Sequence, residues 1–160
     1  MREIKRIIFH HTGDSETRPQ FSKINGNHRS LDFPMSQLGN YVGYHILIEH
    51  SSHEIIICRL FSEIGAHDKG ENHDSVGIAL AMNGNASIPC PQCEEAFARS
   101  CEMVFAFVGN ILPIEPHRLN DTTDCPGKYI SNNWGERTYA KHYLSFVKKL
   151  LLWISKTLNF

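Results

Sequence analysis

Short apolar runs alternate with polar segments along the chain, and the length of each run separates strands from helices. Four runs rich in Ile, Val, Leu or Phe are bounded by Gly, Asn, Ser or Asp, a pattern typical of β-strands. We predict these strands at 4–9, 44–49, 54–61 and 76–82, with a further short strand near Ile114. Strands interspersed with helical segments favour a mixed sheet covered by helices.

Apolar residues at helical spacing predict two long helices. The first opens at Pro91, a residue suited to the first turn of a helix, and must end before Pro113. The second is an amphipathic C-terminal helix over about 139–158. A weaker helix is indicated at 21–29, inside a polar stretch from 12 to 41 that we expect to lie at a surface or to line a cleft.

Composition restricts the class of protein. No repeat or linker divides the 160 residues, so we predict a single α/β domain over 1–160, with a central mixed β-sheet flanked by helices. Sixteen basic against seventeen acidic residues argue against a nucleic-acid partner. No apolar run approaches the ~20 residues of a transmembrane segment, and no signal peptide is readable. We therefore expect a monomer that is synthesised in the cytoplasm, where its five cysteines stay reduced.

Ten histidines point toward chemistry at a site. His10 and His11 end the first predicted strand, where alternation lets only one of them face a given site. His117 and Cys125 lie eight residues apart in a polar loop. With one early histidine they offer zinc three N and S ligands and leave the fourth position for water, as in catalytic zinc sites. Spacing alone leaves unrelated surface histidines and a core thiol as an equal alternative.

A second cysteine pair has its own spacing. Cys90-Pro-Gln-Cys93 places two thiols three residues apart, as in zinc sites and redox pairs. A redox motif is expected to open a helix after a strand in a thioredoxin-like unit. A structural zinc needs two further ligands, and only Cys101 is near in sequence. We favour a helix start with incidental thiols and keep a metal site and an oxidised pair as alternatives.

Six short motifs in a fixed order carry a resemblance to a known family. They are Phe-His-His-Thr at 9–12, Gly-Tyr-His-Ile-Leu-Ile at 43–48, Gly-Ala-His at 65–67, Lys-Gly-Glu-Asn-His-Asp-Ser-Val-Gly-Ile-Ala-Leu at 69–80, His-Arg at 117–118 and Thr-Asp-Cys-Pro-Gly at 123–127. The chain resembles the zinc-dependent N-acetylmuramoyl-L-alanine amidases of the bacteriophage lysozyme type, whose fold is shared by the peptidoglycan recognition proteins. The ordered set is far more specific than any one motif.

The resemblance implies a role for each matching residue. It makes His10, His117 and Cys125 the zinc ligands and Tyr44 the catalytic tyrosine, which orients the water or stabilises the oxyanion. Thr123 stands where the phage enzymes often carry a lysine, so its hydroxyl is the candidate catalytic group there. Threonine supplies no positive charge, which shifts oxyanion stabilisation toward zinc and the tyrosine.

The same resemblance implies less specific roles for the other histidines. His67 is expected to line the cleft and His28 to touch substrate. His45 is expected to be structural, and His11 to be structural or to support the zinc ligands. The remaining four are expected at the surface: His50, His53, His73 and His142.

The resemblance implies hydrolysis of the amide between N-acetylmuramic acid and L-alanine in peptidoglycan. A bacteriolytic phage or prophage endolysin, released to the cell wall after synthesis, fits this reading. The alternatives are a cytoplasmic amidase that recycles soluble muropeptides, a peptidoglycan-binding module without activity, and a scaffold held by a closed four-ligand zinc site. The presence of Cys125 favours an enzyme over a binding module.

Overall fold

The computed structural model describes residues 2–14 and 18–157, without the side chains of Leu152, Ser155 and Lys156. A five-stranded mixed sheet forms its centre. Its strands are β1 (Arg6–His11), β2 (Ile46–Glu49), β3 (Ile55–Ile57), β4 (Ser75–Ala81) and β5 (Ile114–Pro116), in the spatial order β3-β2-β4-β1-β5. β1 runs parallel to β4 and β5, β4 runs parallel to β2, and β3 pairs antiparallel with β2. The predicted mixed α/β architecture is confirmed.

The middle strands are apolar because both of their faces are covered. All seven residues of β4 are buried, as are the four central residues of β1. Such continuous burial is typical of parallel strands between two layers. The prediction of strands at these positions is therefore confirmed by the sheet itself.

Strand β3 ends earlier than the predicted 54–61. The backbone N–H groups of Cys58 and Arg59 both donate to the His45 carbonyl, at 2.8 and 3.3 Å, which ends regular pairing. The Arg59 side chain then turns into the domain and donates to the carbonyls of Val42 and Pro34. Because the Arg59 guanidinium is held by these loop carbonyls, the chain after Ile57 does not continue to pair with β2.

Three helices flank the sheet: α1 (Phe21–Ser30), α2 (Pro91–Val108) and α3 (Trp134–Thr157). Cys90 caps α2, and Gly109 ends it with a φ of 79°. The buried face of α2 includes Phe97, Cys101 and Val104, which pack in the same cluster as the core residues of β1 and β4. Helix α2 thereby covers one face of the sheet.

Helix α3 begins at Trp134 rather than at the predicted Tyr139. The Trp134 ring lies 5.5 Å from the ring of Phe9 and 4.8 Å from that of Phe97, so tertiary packing fixes the first turn. After Thr138 no residue of α3 with a described side chain is buried. The rest of α3 is therefore only partly covered, although the Tyr139 ring packs 5.1 Å from that of Phe105, and the predicted end at 158 lies outside the described residues. Within the described chain, no helix is long and apolar enough to cross a membrane.

Candidate metal centre

Three residues that are distant in sequence meet at the end of β1. The ligand atoms of His10, His117 and Cys125 all lie within 4.8 Å of one another. His10 Nδ1 is 3.8 Å from Cys125 Sγ, and the His10 and His117 rings are 4.5 Å apart. The structure thus brings together the three ligands that the sequence predicts.

Strand alternation positions the two adjacent histidines differently. His10 is 1% exposed and faces the cluster. The His11 backbone N–H donates to Cys125 Sγ at 3.4 Å, and its ring Nδ1 accepts the Gly84 N–H at 2.8 Å. His11 therefore holds the cysteine and a neighbouring loop, in agreement with the supporting role expected for it.

A short loop carries the other two ligands. A 3-10 turn, His117–Leu119, follows β5 directly, and the Arg118 N–H donates to the Cys125 carbonyl at 2.9 Å. The Arg118 guanidinium also donates to the carbonyls of Gly127 and Ile130, at 2.6 and 3.0 Å. These bonds close the loop so that both ligands face the end of β1.

Thr123 takes part in the shape of this loop. Its Oγ1 accepts the Cys125 N–H at 3.2 Å, and its own N–H donates to the Asp121 carbonyl at 2.9 Å. The hydroxyl thus orients the segment that carries the cysteine and keeps its hydrogen available for donation.

Gly127 and Gly84 allow two loops to touch backbone to backbone. A Cβ at Gly127, where φ is 106°, would lie 2.2 Å from the Gly84 carbonyl carbon. A Cβ at Gly84 would lie 1.9 Å from the Pro126 carbonyl oxygen. The position of the cysteine loop against the β4–α2 loop therefore requires both glycines.

His67 lies behind His10. Its Nδ1 is 3.1 Å from His10 Nε2, and its Nε2 is 3.5 Å from Ser75 Oγ. Ser75 donates its one hydroxyl hydrogen to the Glu71 carbonyl at 2.6 Å, so it can only accept from His67. His67 Nδ1 then accepts from His10 Nε2–H, which leaves the His10 Nδ1 lone pair facing Cys125.

Burial keeps this histidine pair neutral. It lowers the pKa of His10 well below 6.5, and the neighbouring His117 lowers it further. It also lowers the pKa of His67, with His10 as the next cause. Neutral imidazoles are the forms that bind metals. The sequence prediction placed His67 on the cleft wall, whereas the structure also gives it this contact behind a ligand.

Asp68 is a site residue that the sequence analysis missed. Its side chain is fully buried, and Oδ1 lies 3.6 Å from His117 Nε2. Among the described residues, neither carboxylate oxygen nor His117 Nε2 has a hydrogen-bond partner. Burial raises the pKa of Asp68, and His117 opposes the rise. An acidic residue directly after a predicted cleft histidine was the available signal.

Tyr44 lies on the other side of His10, with its ring 5.2 Å from the His10 ring. Burial raises the pKa of the phenol above its ordinary 10, and Cys125 raises it further. The phenol is therefore neutral and able to donate a hydrogen bond. His28 packs against it at 5.6 Å between rings, and His28 Nδ1 accepts the Gly43 N–H at 2.9 Å.

The Cys125 thiol is also desolvated. Burial raises its pKa to about 11, an effect that the His11 N–H and Arg118 partly oppose. A bound cation would stabilise the thiolate far more strongly than these two groups do. The site is thus a set of two imidazoles and a thiol, with His10 buried and His117 partly exposed, that a metal cation would complement.

A cleft opens beside this cluster. Its walls include Phe33, Ile64, His67, Asp68, His117 and Asp121. His28 is not among the described residues that line it, although its ring contacts Tyr44. Of the three candidate ligands, His117 lines this cleft.

Comparison with known proteins defines the family. A family model described as N-acetylmuramoyl-L-alanine amidase (Amidase_2) matches residues 1–128, and the chain belongs to this family. No curated protein matches the chain. The prediction of an amidase and peptidoglycan recognition protein relationship is confirmed.

Three similar solved structures place the fold. The N-acetylmuramoyl-L-alanine amidase LysC from Clostridium intestinale URNW has a TM-score of 0.70 at 26% identity, over 88% of this chain and 85% of that chain. The endolysin amidase LysCS from the same organism has a TM-score of 0.71 at 25% identity, over 88% and 84%. Bumblebee PGRP-SA has a TM-score of 0.69 at 20% identity, over 81% and 78%, and is similar in fold.

Proposed function

We propose that this protein is a zinc-dependent N-acetylmuramoyl-L-alanine amidase that cleaves the amide between N-acetylmuramic acid and L-alanine. The observation that carries the proposal is the convergence of His10, His117 and Cys125 within 4.8 Å, beside the partly buried Tyr44 and an open cleft. Two imidazoles and a thiolate suit zinc, and three protein ligands leave a position for water. Membership of the amidase family supports the same reaction class.

The surroundings of the ligands also fit a metal. The unpartnered His117 Nε2 faces Asp68, which leaves the other ring edge for coordination. His67 accepts a hydrogen bond from His10 Nε2–H at 3.1 Å, which leaves His10 Nδ1 for coordination. A metal-bound histidine usually donates its second N–H to a carboxylate or another acceptor in this way.

The chain's own residues supply orientation and hydrogen bonds. Zinc bound at this site would supply the Lewis acidity that polarises the scissile carbonyl and activates the attacking water. The neutral Tyr44 hydroxyl would donate a hydrogen bond to the developing oxyanion. Thr123, whose Oγ1 already accepts the Cys125 N–H, would hold the cysteine loop and offer its hydroxyl hydrogen to the same charge.

The cleft suggests the form of the substrate. It is lined by Phe33, His67 and His117, which supports binding of a stem peptide beside the metal ligands. His28 would act on substrate through Tyr44 or at the cleft edge. We propose a monomer that acts on cell-wall peptidoglycan as an endolysin does. A recycling amidase for soluble muropeptides shares the same chemistry.

The test measures zinc and peptide release together. Cys125→Ala is expected to lose about one zinc per chain and all release of stem peptide from purified peptidoglycan. Tyr44→Phe is expected to keep its zinc and lose most activity, about 10²–10³-fold, as for loss of an oxyanion donor. Zinc binding without hydrolysis of sacculi or soluble muropeptides would instead indicate a recognition module. Activity on soluble muropeptides alone would favour the recycling role.

A further inference from the structure

A second group of metal-binding side chains lies away from the candidate centre. His50 follows β2 in the turn toward β3, while Cys90 and Cys93 stand at the start of α2. The ligand atoms of these three residues all lie within 4.8 Å of one another. His50 was expected at the surface and the thiols were expected to be incidental, but the structure makes them neighbours.

We propose that His50, Cys90 and Cys93 form a second zinc site, which joins the turn after β2 to the start of α2 through three protein ligands. Two thiols and an imidazole are the donor set that zinc favours among the divalent ions available to a protein. No fourth His, Cys, Asp or Glu joins this group among the described residues. His50 and Cys90 are half-buried, so water can reach the fourth position.

The start of α2 places a backbone N–H against the Cys90 sulfur. Cys90 is the N-cap of α2, and its Sγ accepts the Cys93 N–H at 3.3 Å. A backbone N–H donor and the positive end of the helix dipole both stabilise negative charge on that sulfur. Cys93 is one turn further into the helix and fully buried, which fixes the second sulfur.

Binding needs only a small adjustment. The two sulfur atoms are 2.8 Å apart, whereas two thiolates on one tetrahedral zinc lie about 3.8 Å apart. Cys90 is half-exposed and precedes the helix, so its side chain can rotate outward. The same proximity allows the competing product, a Cys90–Cys93 disulfide, which the experiment must detect.

A zinc ion here would hold the loop between β4 and α2 at its C-terminal end, where Cys90 precedes α2. At its near end this loop contacts the cysteine loop, since the Tyr129 N–H donates to the Gly84 carbonyl at 3.0 Å and the Lys128 N–H to Asn85 Oδ1 at 2.8 Å. The loop is otherwise bound to His11 through Gly84. The second zinc would thus support, from a distance, the loop packed against Cys125.

Cobalt binding in a Cys125→Ala background tests the proposal without reference to activity. In that background the candidate centre has no thiolate, so a thiolate-to-cobalt charge-transfer band can arise only from another site. Fully reduced Cys125→Ala protein titrated with Co²⁺ is expected to show this band, and one equivalent of Zn²⁺ is expected to abolish it. Adding His50→Gln should weaken Co²⁺ binding at least as much as the 10–100-fold that loss of an outer-shell partner costs. Adding Cys93→Ser should remove the band.

The matched control is His53→Asn, which changes an exposed histidine of the same turn to a residue that tolerates its φ of 60°. It should bind Co²⁺ as the background does. If Cys93→Ser does not fold, alkylation of Cys90 is measured with and without Zn²⁺ in the Cys125→Ala protein and in the same protein with His50→Gln added. Zn²⁺ should protect Cys90 in the first protein and protect it less in the second. Three outcomes would each overturn the site. They are the absence of a charge-transfer band in reduced protein, equal Co²⁺ affinity after His50→Gln, and formation of a Cys90–Cys93 disulfide by glutathione disulfide in the presence of excess Zn²⁺. None of these outcomes bears on whether the protein is an amidase.

Discussion

His67 Nδ1 lies 3.1 Å from His10 Nε2, and both rings are buried. Since Ser75 fixes the other nitrogen of His67 as a donor, the pair has one consistent set of hydrogens. This arrangement directs the His10 Nδ1 lone pair toward Cys125 before any metal arrives. His67 is thus a positioning residue in the proposed zinc centre.

Replacement of His67 by Phe should weaken zinc binding. His10 Nε2–H would lose its acceptor inside the protein, and we expect zinc affinity to fall about 10–100-fold. Competition with a chromogenic chelator measures the dissociation constant. His73→Phe, at an exposed histidine on the cleft, is the matched control and should leave affinity unchanged. Unchanged affinity with reduced hydrolysis in His67→Phe would make His67 a substrate-binding residue instead.

Asp68→Asn should act on the other histidine ligand. The buried carboxylate faces His117 Nε2 at 3.6 Å, so replacement by Asn removes the negative charge and one of the two acceptor oxygens that orient the ring. We expect about a 10–100-fold loss of zinc affinity. Asp121→Asn provides the comparison, because Asp121 Oδ2 is 3.9 Å from the same nitrogen but its side chain is 52% exposed. Equal losses in the two variants would refute a special role for Asp68.

Gly127→Ala should displace the cysteine loop. The added methyl group would overlap the backbone of Gly84 and sit at a φ of 106°, so the loop must move. Zinc affinity and thermal stability should both fall. Gly109→Ala, at a φ of 79° with no neighbour within 4 Å, reports the strain alone. We expect about 1 kcal/mol of lost stability there and no change in zinc content. Urea unfolding and metal analysis of both variants distinguish collision from strain.

His45 should make the apoprotein acid-sensitive. The ring is fully buried, with Nδ1 accepting the Gly77 N–H at 3.0 Å, and burial lowers its pKa to about 3. Between pH 6.5 and about 3 the unfolded chain binds a proton at this residue that the folded protein does not. Its contribution to stability is therefore complete above pH 6.5 and is lost as the pH falls through this window.

His45→Gln should flatten that dependence. The slope of unfolding free energy against pH in chelator-treated protein should decrease by up to about 1.4 kcal/mol per pH unit, because one proton is no longer taken up on unfolding. Urea titrations at a series of pH values measure the slope. His53→Asn, at an exposed histidine, should keep the wild-type slope. A variant slope equal to that of the wild type would mean that His45 is protonated in the folded state.

Sequence reasoning succeeded where local pattern and tertiary structure agree. The presence of β1 was readable, although it spans Arg6–His11 rather than the predicted 4–9, and the family resemblance rather than spacing alone selected the candidate ligands. Asp68 was missed, since its partner His117 is distant in sequence and its place directly after a cleft histidine does not by itself show the contact. His50 was likewise assigned to the surface, because nothing in the sequence shows that its turn meets the start of α2.

The predicted start of α3 was wrong for a related reason, whereas α1 and α2 begin at the predicted residues. Asn132, Asn133 and Gly135 are typical of a turn, so the pattern delayed α3 to Tyr139. Trp134 packs on Phe97 at 4.8 Å and starts the helix against these preferences. Tertiary packing outweighs local propensity at such positions.

β1 is hydrogen-bonded on both sides, to β4 and β5, and it carries His10 at its buried end. Its amide hydrogens should exchange with solvent only when the whole domain opens. His117 and Cys125 lie outside the sheet, in a segment held by bonds from Arg118 and by its contact with the loop at Gly84. One ligand therefore belongs to the hydrogen-bonded sheet, and two belong to a loop segment that we expect to open more readily. Metal release would then be a local opening of the loop, which the folded sheet survives with His10 still in place to rebind.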